Sequence, residues 1–161
     1  MNHQTVPLDE VDLRLLGLLQ DDASRSNLAL AEAAHVSPAT AMRRVRRLVE
    51  SGVIERQVAI VSPAAFDRGL TSVVEVSLDH QAAERLSAFE ARAAAEPAVQ
   101  QCYRVSPGPD FVLIVWVSDM AAYHALVQRL FTEDANVRNV KSYFSTRRAK
   151  FEPRIDVKSS P

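Results

Sequence analysis

An α+β fold is what this 161-residue chain predicts: three short helices, then a β-α-β-β-α-β run. Three observations carry that reading. Apolar residues recur at helical spacing through the first third of the chain. The stretch Ser62 to Gly69 (SPAAFDRG), with its Pro and Gly, then punctuates a change of pattern. After it, strand-like runs alternate with amphipathic helical ones. Hydrophobic residues make up 47% of the chain and the net charge is only −1, so a packed core is expected rather than a disordered chain. The boundaries predicted are residues 1–61 for the first domain, 62–70 for a linker and 71–161 for the second domain.

The first helix is expected over Leu8–Gln20, where Val11, Leu15, Leu18 and Leu19 form a stripe that Leu16 widens. Acids in its first turn suit the helix dipole. Ser26 or Asn27 caps the second helix, whose face of Leu28, Leu30, Ala31 and Ala34 is small enough for another helix to approach closely. His35-Val36 makes the turn, with His35 at a position that calls for positive φ, which histidine tolerates better than most residues. Ser37 is the N-cap of the third helix and Pro38 its first residue, where a missing N–H costs nothing. Ala41, Val45 and Leu48 line one side of that helix. Arg43, Arg46, Arg47 and Glu50 are left on the other, and Gly52 ends it. The following run, VIERQVAIV, is expected to form a wing or an exit strand.

The second domain is expected as strand 72–79, helix 81–95, strand 99–106, strand 110–117, helix 119–132 and strand 137–147. This is the ferredoxin-like split βαβ order. Ala82, Leu86, Phe89 and Ala93 mark one helix face, and Tyr123, Leu126, Val127 and Leu130 the other. Both helices should cover one face of a four-stranded antiparallel sheet. The strand DFVLIVWV is apolar on both sides, so the opposite face needs a second cover. A second copy of the domain is the simplest one, which predicts at least a homodimer.

Composition narrows the function. Four scattered histidines (3, 35, 80, 124) lack metal-ligand spacing, one cysteine (Cys102) excludes an internal disulfide and a thiolate zinc site, and no glycine loop resembles a phosphate cradle. No cofactor or metal is therefore expected, and no catalytic constellation stands out. No apolar run approaches membrane-spanning length, the N-terminus has no signal core, and a reduced, cytoplasmic setting fits. Charge is unevenly spread. Residues 37–56 hold five arginines (43, 44, 46, 47, 56) against Glu50 and Glu55, a local balance of +3. Two short helices joined by a tight turn, the second rich in arginine, are the layout of a helix-turn-helix whose second helix enters the major groove of double-stranded DNA. A three-helix core that simply packs is the alternative, and the exposed arginines count against it. Ala39, Thr40 and Arg43 lie where base edges would be met, and Arg44, Arg46 and Arg47 where phosphates or the groove wall would be. The helix N-terminus at Ser37, Pro38, Ala39 and Thr40 offers free N–H groups to a phosphate. In the second domain, the loop Ser106-Pro107-Gly108-Pro109-Asp110 is either a plain turn or a clamp for a small effector, with the Asp110 carboxylate facing an ammonium. The basic tail Arg147, Arg148, Lys150 and Arg154 is expected to be a solvated edge strand that discourages aggregation.

Nearly the whole chain resembles the leucine-responsive/asparagine-responsive (Lrp/AsnC, feast/famine) family of bacterial transcription regulators. The segments that carry the resemblance are LDEVDLRLLGLLQDDASRSNLALAE, VSPATAMRRVRRLVESGVIERQVAIVSP and PDFVLIVWVSDMAAYHALVQRLFT. Ser37, Pro38, Arg44, Val45, Arg46, Leu48, Gly52 and Ile54 fall on its pattern. The resemblance implies a winged helix-turn-helix joined to a ferredoxin-like effector and oligomerisation domain. It also implies a homodimer assembling to a tetramer or octamer, and a small effector, such as an amino acid, in control of amino-acid metabolism or transport. Effector-site positions carried over are Ser106, Gly108 and Asp110, with Ser142 on the last strand. One departure stands out: the family loop commonly reads T/S-G-x-x-D-F/Y, whereas Pro107 occupies the glycine position here and Gly108 follows it. Proline removes an N–H that could hold a ligand carboxylate. Two other readings remain: an enzyme similar to the siroheme decarboxylases, for which His80 and His124 are the second domain's only candidates, and a ligand-binding protein with a vestigial helix-turn-helix.

Overall fold

A computed structural model of the chain describes residues 6–66 and 69–157. The elements, in order, are α1 (Glu10–Asp21), α2 (Asn27–Ala34), α3 (Pro38–Glu50), a 3-10 turn (Pro63–Ala65), β1 (Leu70–Leu78), α4 (Ala83–Ala95), β2 (Val99–Arg104), β3 (Phe111–Val117), α5 (Met120–Val127) with a π-helical turn (Gln128–Thr132), and β4 (Val137–Phe144). They fall into two compact units. One comprises residues 1–60 and 150–161, the other residues 61–149.

Short-range chemistry sets the helix ends of the first unit. At the start of α1, the Asp9 carboxylate accepts the Asp12 N–H at 3.0 Å and the Asp12 carboxylate accepts the Asp9 N–H at 3.1 Å, a reciprocal capping box. Ser26 caps α2 through the Ala29 N–H. α2 stops at His35, whose φ of 55° and ψ of 48° are left-handed; the Val36 N–H then reaches back to the Ala31 carbonyl at 3.0 Å. Ser37 caps α3 through the Thr40 N–H at 3.2 Å, Pro38 opens the helix, and Gly52 follows its end at φ 75°. The core consists of Leu15, Leu30, Ala31, Ala34 and Ala41, with Val11, Leu18, Leu19, Val36 and Val45 packed against it. Ala31, Ala34 and Ala41 are fully buried, as small residues between closely packed helices should be.

Residues 53–61, expected as a wing or exit strand, form no strand in this chain, because no neighbouring strand completes a ladder with them. A second difference concerns the tail. Residues 150–161 were expected in the second domain, with the basic tail as an edge strand. β4 instead ends at Phe144, and residues 150–161 belong to the first unit. There Arg154 pairs with Asp21, and Ile155 exchanges two hydrogen bonds with the Gln20 amide, at 2.9 and 3.2 Å.

The second unit is an antiparallel sheet of order β2-β3-β1-β4, the ferredoxin-like arrangement. Val74 stands opposite Leu113 on one side and Ser142 on the other, which fixes the faces. Val74, Val76, Leu78, Phe111, Leu113 and Val115 point toward α4 and α5, where Phe89, Ala93, Tyr123 and Leu126 close the core. Phe89 packs against Phe111 with ring centroids 4.8 Å apart. Both helices therefore cover one face, as expected. The other face carries Val73, Tyr103, Val112, Ile114, Trp116 and Tyr143, and neither helix of this unit covers it. Tyr103 and Tyr143 are each about half exposed.

Candidate functional site

On α3 the helical period sorts the side chains. Ala41 and Leu48 are buried. Ala39, Met42, Arg43, Arg46 and Glu50 are exposed, and at 100° per residue they fall on the side away from that core. Arg44 and Arg47 lie between, on the flank that meets α1. Their partner is Asp12, whose side chain is 1% exposed. Arg44 Nη1 donates to Asp9 Oδ2 at 2.7 Å and to Asp12 Oδ1 at 2.9 Å, and Arg47 Nη2 donates to Asp12 Oδ2. With the Asp9 N–H, the buried carboxylate thus accepts three hydrogen bonds, two of them from guanidinium groups. That number matters because an unpaired charge at such a site costs several kcal/mol, on the order of 3–5. The Asp9 carboxyl is held below its usual range, first by the Asp12 N–H and then by Arg44. The Arg44 guanidinium is raised by Asp9 and then Asp12.

Arg44, expected among the DNA contacts, faces the protein in this structure. Its side chain is only 21% exposed and its Nε is buried without a hydrogen-bond partner. The group faces the protein because Asp12, far away in sequence, sits under it. Arg47 is tethered too, although 44% of its side chain reaches solvent. Arg46 pairs with Glu50 at 2.7 Å, but both side chains are well exposed, and such an i,i+4 pair is worth only a few tenths of a kcal/mol, about 0.3–0.5. Arg43 has no ion-pair partner among the described residues. Ser37 and Thr40 share a 2.8 Å hydrogen bond between their hydroxyls. Ser37, Pro38 and Ala39 are exposed at the N-terminus of the helix. Met42, 57% exposed in the middle of this face, was missed by the sequence reading. The signal was present: it lies i+3 from Ala39 and i−4 from Arg46.

The second unit holds an open cavity of about 310 Å³ lined by Glu75, Ser77, Gly108, Pro109, Arg138, Asn139 and Lys141. Glu75 stands opposite Lys141 and Ser77 opposite Asn139, all on the uncovered sheet face. Of the expected effector residues, only Gly108 lines this cavity; its φ of 121° takes a conformation that neither flanking proline can adopt. Ser106 is exposed on the same loop, before a cis peptide to Pro107. The Asp110 carboxylate is already engaged. β1 runs past the end of β3, and Asp110 Oδ2 accepts the Leu78 N–H at 2.6 Å where a strand carbonyl would otherwise do so. Ser142 lies on the helix-covered face and its hydroxyl bonds that of Tyr123. Asp110 and Ser142 therefore do not converge with Gly108 on the cavity. Among the described residues there is no group of three or more His, Cys, Asp or Glu that could hold a metal ion, and no helix is long and apolar enough to cross a membrane.

Residues 8–55 match the winged helix-turn-helix DNA-binding family, and residues 71–155 match the Lrp/AsnC ligand binding domain. The chain belongs to the Lrp/AsnC family of transcriptional regulators. An uncharacterized HTH-type transcriptional regulator of Haemophilus influenzae is 38% identical over 89% of this chain and 85% of its own. An AsnC family transcriptional regulator of Agrobacterium tumefaciens, solved as a crystal structure, superposes with a TM-score of 0.81 at 30% identity, over 92% of this chain and 96% of that one. A Neisseria meningitidis transcriptional regulator crystallised as an L-Met complex gives a TM-score of 0.80 at 26% identity, over 91% and 95% of the two chains. In this Lrp/AsnC protein, then, a helix-turn-helix unit and a ligand-binding unit occupy one chain, and the α3 arginines divide into an outward pair and a tethered pair. Thermal unfolding checks that division. Arg44→Ala should lower the midpoint by several degrees, because Asp12 loses a partner; Arg46→Ala should move it by no more than about 2 °C, as expected for an exposed pair.

Proposed function

We propose that this Lrp/AsnC regulator reads double-stranded DNA with the outward face of α3, responds to an amino acid bound at the Gly108 cavity, and acts as a homodimer joined through the uncovered sheet face. The observation that carries the first part is the exposed row Ala39, Met42, Arg43 and Arg46 on a helix whose opposite side is core. Arginine reads guanine through O6 and N7, and apolar side chains meet the thymine methyl. Arg43 and Met42 suit those two tasks. Ser37, Pro38, Ala39 and Thr40 place the helix N-terminus against a phosphate. Arg46 adds a phosphate contact once released from Glu50. Arg47 keeps a phosphate role only if it leaves Asp12.

For the effector, the cavity offers a carboxylate (Glu75) together with an ammonium (Lys141) and a guanidinium (Arg138). A free amino acid carries the complementary pair of charges. The L-Met complex of the Neisseria regulator supports the same ligand class. Ser106 remains on the loop that borders the cavity, and Asp110 holds that loop to β1. For the dimer, Val73, Val112, Ile114, Trp116, Tyr103 and Tyr143 form a continuous apolar surface of the kind that marks subunit contacts. Glu75, Ser77, Asn139 and Lys141 belong to that face, so a bound effector would sit beside the partner and could favour one assembly over another.

Three measurements test these parts. Arg43→Ala should weaken binding to a native promoter fragment roughly 5- to 150-fold, the worth of about 1–3 kcal/mol for a good guanine contact, with an unchanged melting curve. Equal affinity would remove Arg43 from the interface. A thermal-shift panel of the twenty amino acids at millimolar concentration should find at least one that raises the midpoint of the wild type and not of Glu75→Gln. No shift with any of them, or an equal shift in both proteins, would discard the cavity. Sedimentation should give a dimer, or a tetramer or octamer built on it, and Ile114→Asp should give folded monomers; a wild-type monomer would exclude the sheet-face contact.

A further inference from the structure

Four arginines on one recognition helix pose a problem that Asp12 resolves. Every guanidinium that neutralises a phosphate binds all DNA sequences alike, and the number of such contacts sets non-specific affinity and its salt dependence. We propose that Asp12 sets the electrostatic part of DNA affinity: its buried carboxylate withholds Arg44 and Arg47 from DNA phosphates, so that α3 presents only Arg43 and Arg46. This inference rests on α3 being the DNA-contacting helix.

The geometry treats the two tethered arginines differently. Arg44 bridges Asp9 and Asp12 through one nitrogen, and its buried Nε shows that the side chain is laid against the protein. Turning outward would break both of these bonds. Arg47 is poised nearer the surface. Nearly half of its side chain reaches solvent, and its hydrogen bond to Asp12 Oδ2 is its one ion pair among the described residues. Freed from that carboxylate, it would lie one turn beyond Arg43 on the same flank, within reach of a backbone that Arg43 and Arg46 already approach. Asp12 opposes this release because it is almost fully buried and would be left with fewer donors. The base-reading side chains Ala39, Met42 and Arg43 make no contact with Asp12, so the device lowers binding to every sequence while leaving discrimination intact. A weaker sequence-independent grip lowers the absolute affinity and its salt dependence, and leaves base discrimination to Ala39, Met42 and Arg43.

The test measures binding of the full-length protein to a random-sequence 30-base-pair duplex by fluorescence anisotropy, at a series of salt concentrations. Asp12→Asn keeps the shape and removes the charge. It should bind the random duplex several-fold more tightly at low salt, with a slope of log K against log salt steeper by about 0.9, one further phosphate. A folded Asp12→Asn protein with the wild-type slope overturns the proposal. Should that variant fail to fold, Arg47→Gln and Arg46→Gln decide. Arg47→Gln is expected to keep the wild-type slope, whereas Arg46→Gln loses about 0.9. A loss in Arg47→Gln equal to that in Arg46→Gln shows that Arg47 already contacts phosphate, which overturns the withholding role alone. No loss in Arg46→Gln overturns the reading of α3 itself, and this proposal with it.

Discussion

The carboxylate of Asp12 is the fixed point of the first unit. It caps α1 through the Asp9 N–H, and it takes a guanidinium from each of two residues on α3. A charge buried to this degree has no water to fall back on, so it needs those partners in place. The apolar contacts of Leu15, Ala31, Ala34 and Ala41 bring the helices together and turn the apolar stripe of each inward, but without the fixed geometry of a hydrogen bond. The charge-assisted hydrogen bonds supply the direction. Two arginines one turn apart on α3, both bonded to one carboxylate, define which side of the helix faces inward. The row Ala39, Met42, Arg43 and Arg46 then faces outward by elimination.

The second unit depends on a different constraint. An antiparallel sheet can leave one face to water only if that face is polar. Here β3 is apolar on both sides, and the two helices cover only one. The same alternation that buries Leu113 and Val115 leaves Val112 and Ile114 half-buried on the opposite face. Polar residues on the uncovered face cluster where Glu75, Ser77, Asn139 and Lys141 meet the Gly108 loop. One face thus combines an apolar surface suited to a partner with a charged cavity suited to a small ligand, a compact arrangement for coupling ligand to assembly.

Much of this was readable from the sequence, where the chemistry is local. Ser37-Pro38 and Gly52 bracket α3 because capping and positive φ involve only neighbouring residues, and His35 adopts the left-handed turn for the same reason. Strand order and the doubly apolar β3 followed from pattern and connectivity. Long-range pairing was not readable. Arg44 lies on a polar-looking helix, and only the fold brings Asp12 beneath it. Ser142 was expected beside the Gly108 loop, but its register opposite Val74 turns it to the helix side. Glu75 and Lys141 become neighbours only through the β1–β4 register, which neither strand encodes alone. Residues 53–61 have the composition of a strand, yet a strand exists only with a partner. The tail looked like a continuation of β4, but Arg154 and Ile155 find their partners on α1.

The claim that all of this turns on is the division of labour among the α3 arginines, and side-chain NMR observes it directly. The Nε–H resonances of Arg43, Arg44, Arg46 and Arg47 can be followed while promoter DNA is added. The account predicts that Arg43 and Arg46 shift on binding and that the Arg44 signal, sealed against Asp9 and Asp12, stays where it is. An Arg44 signal that moves with the DNA while Arg43 does not would contradict it.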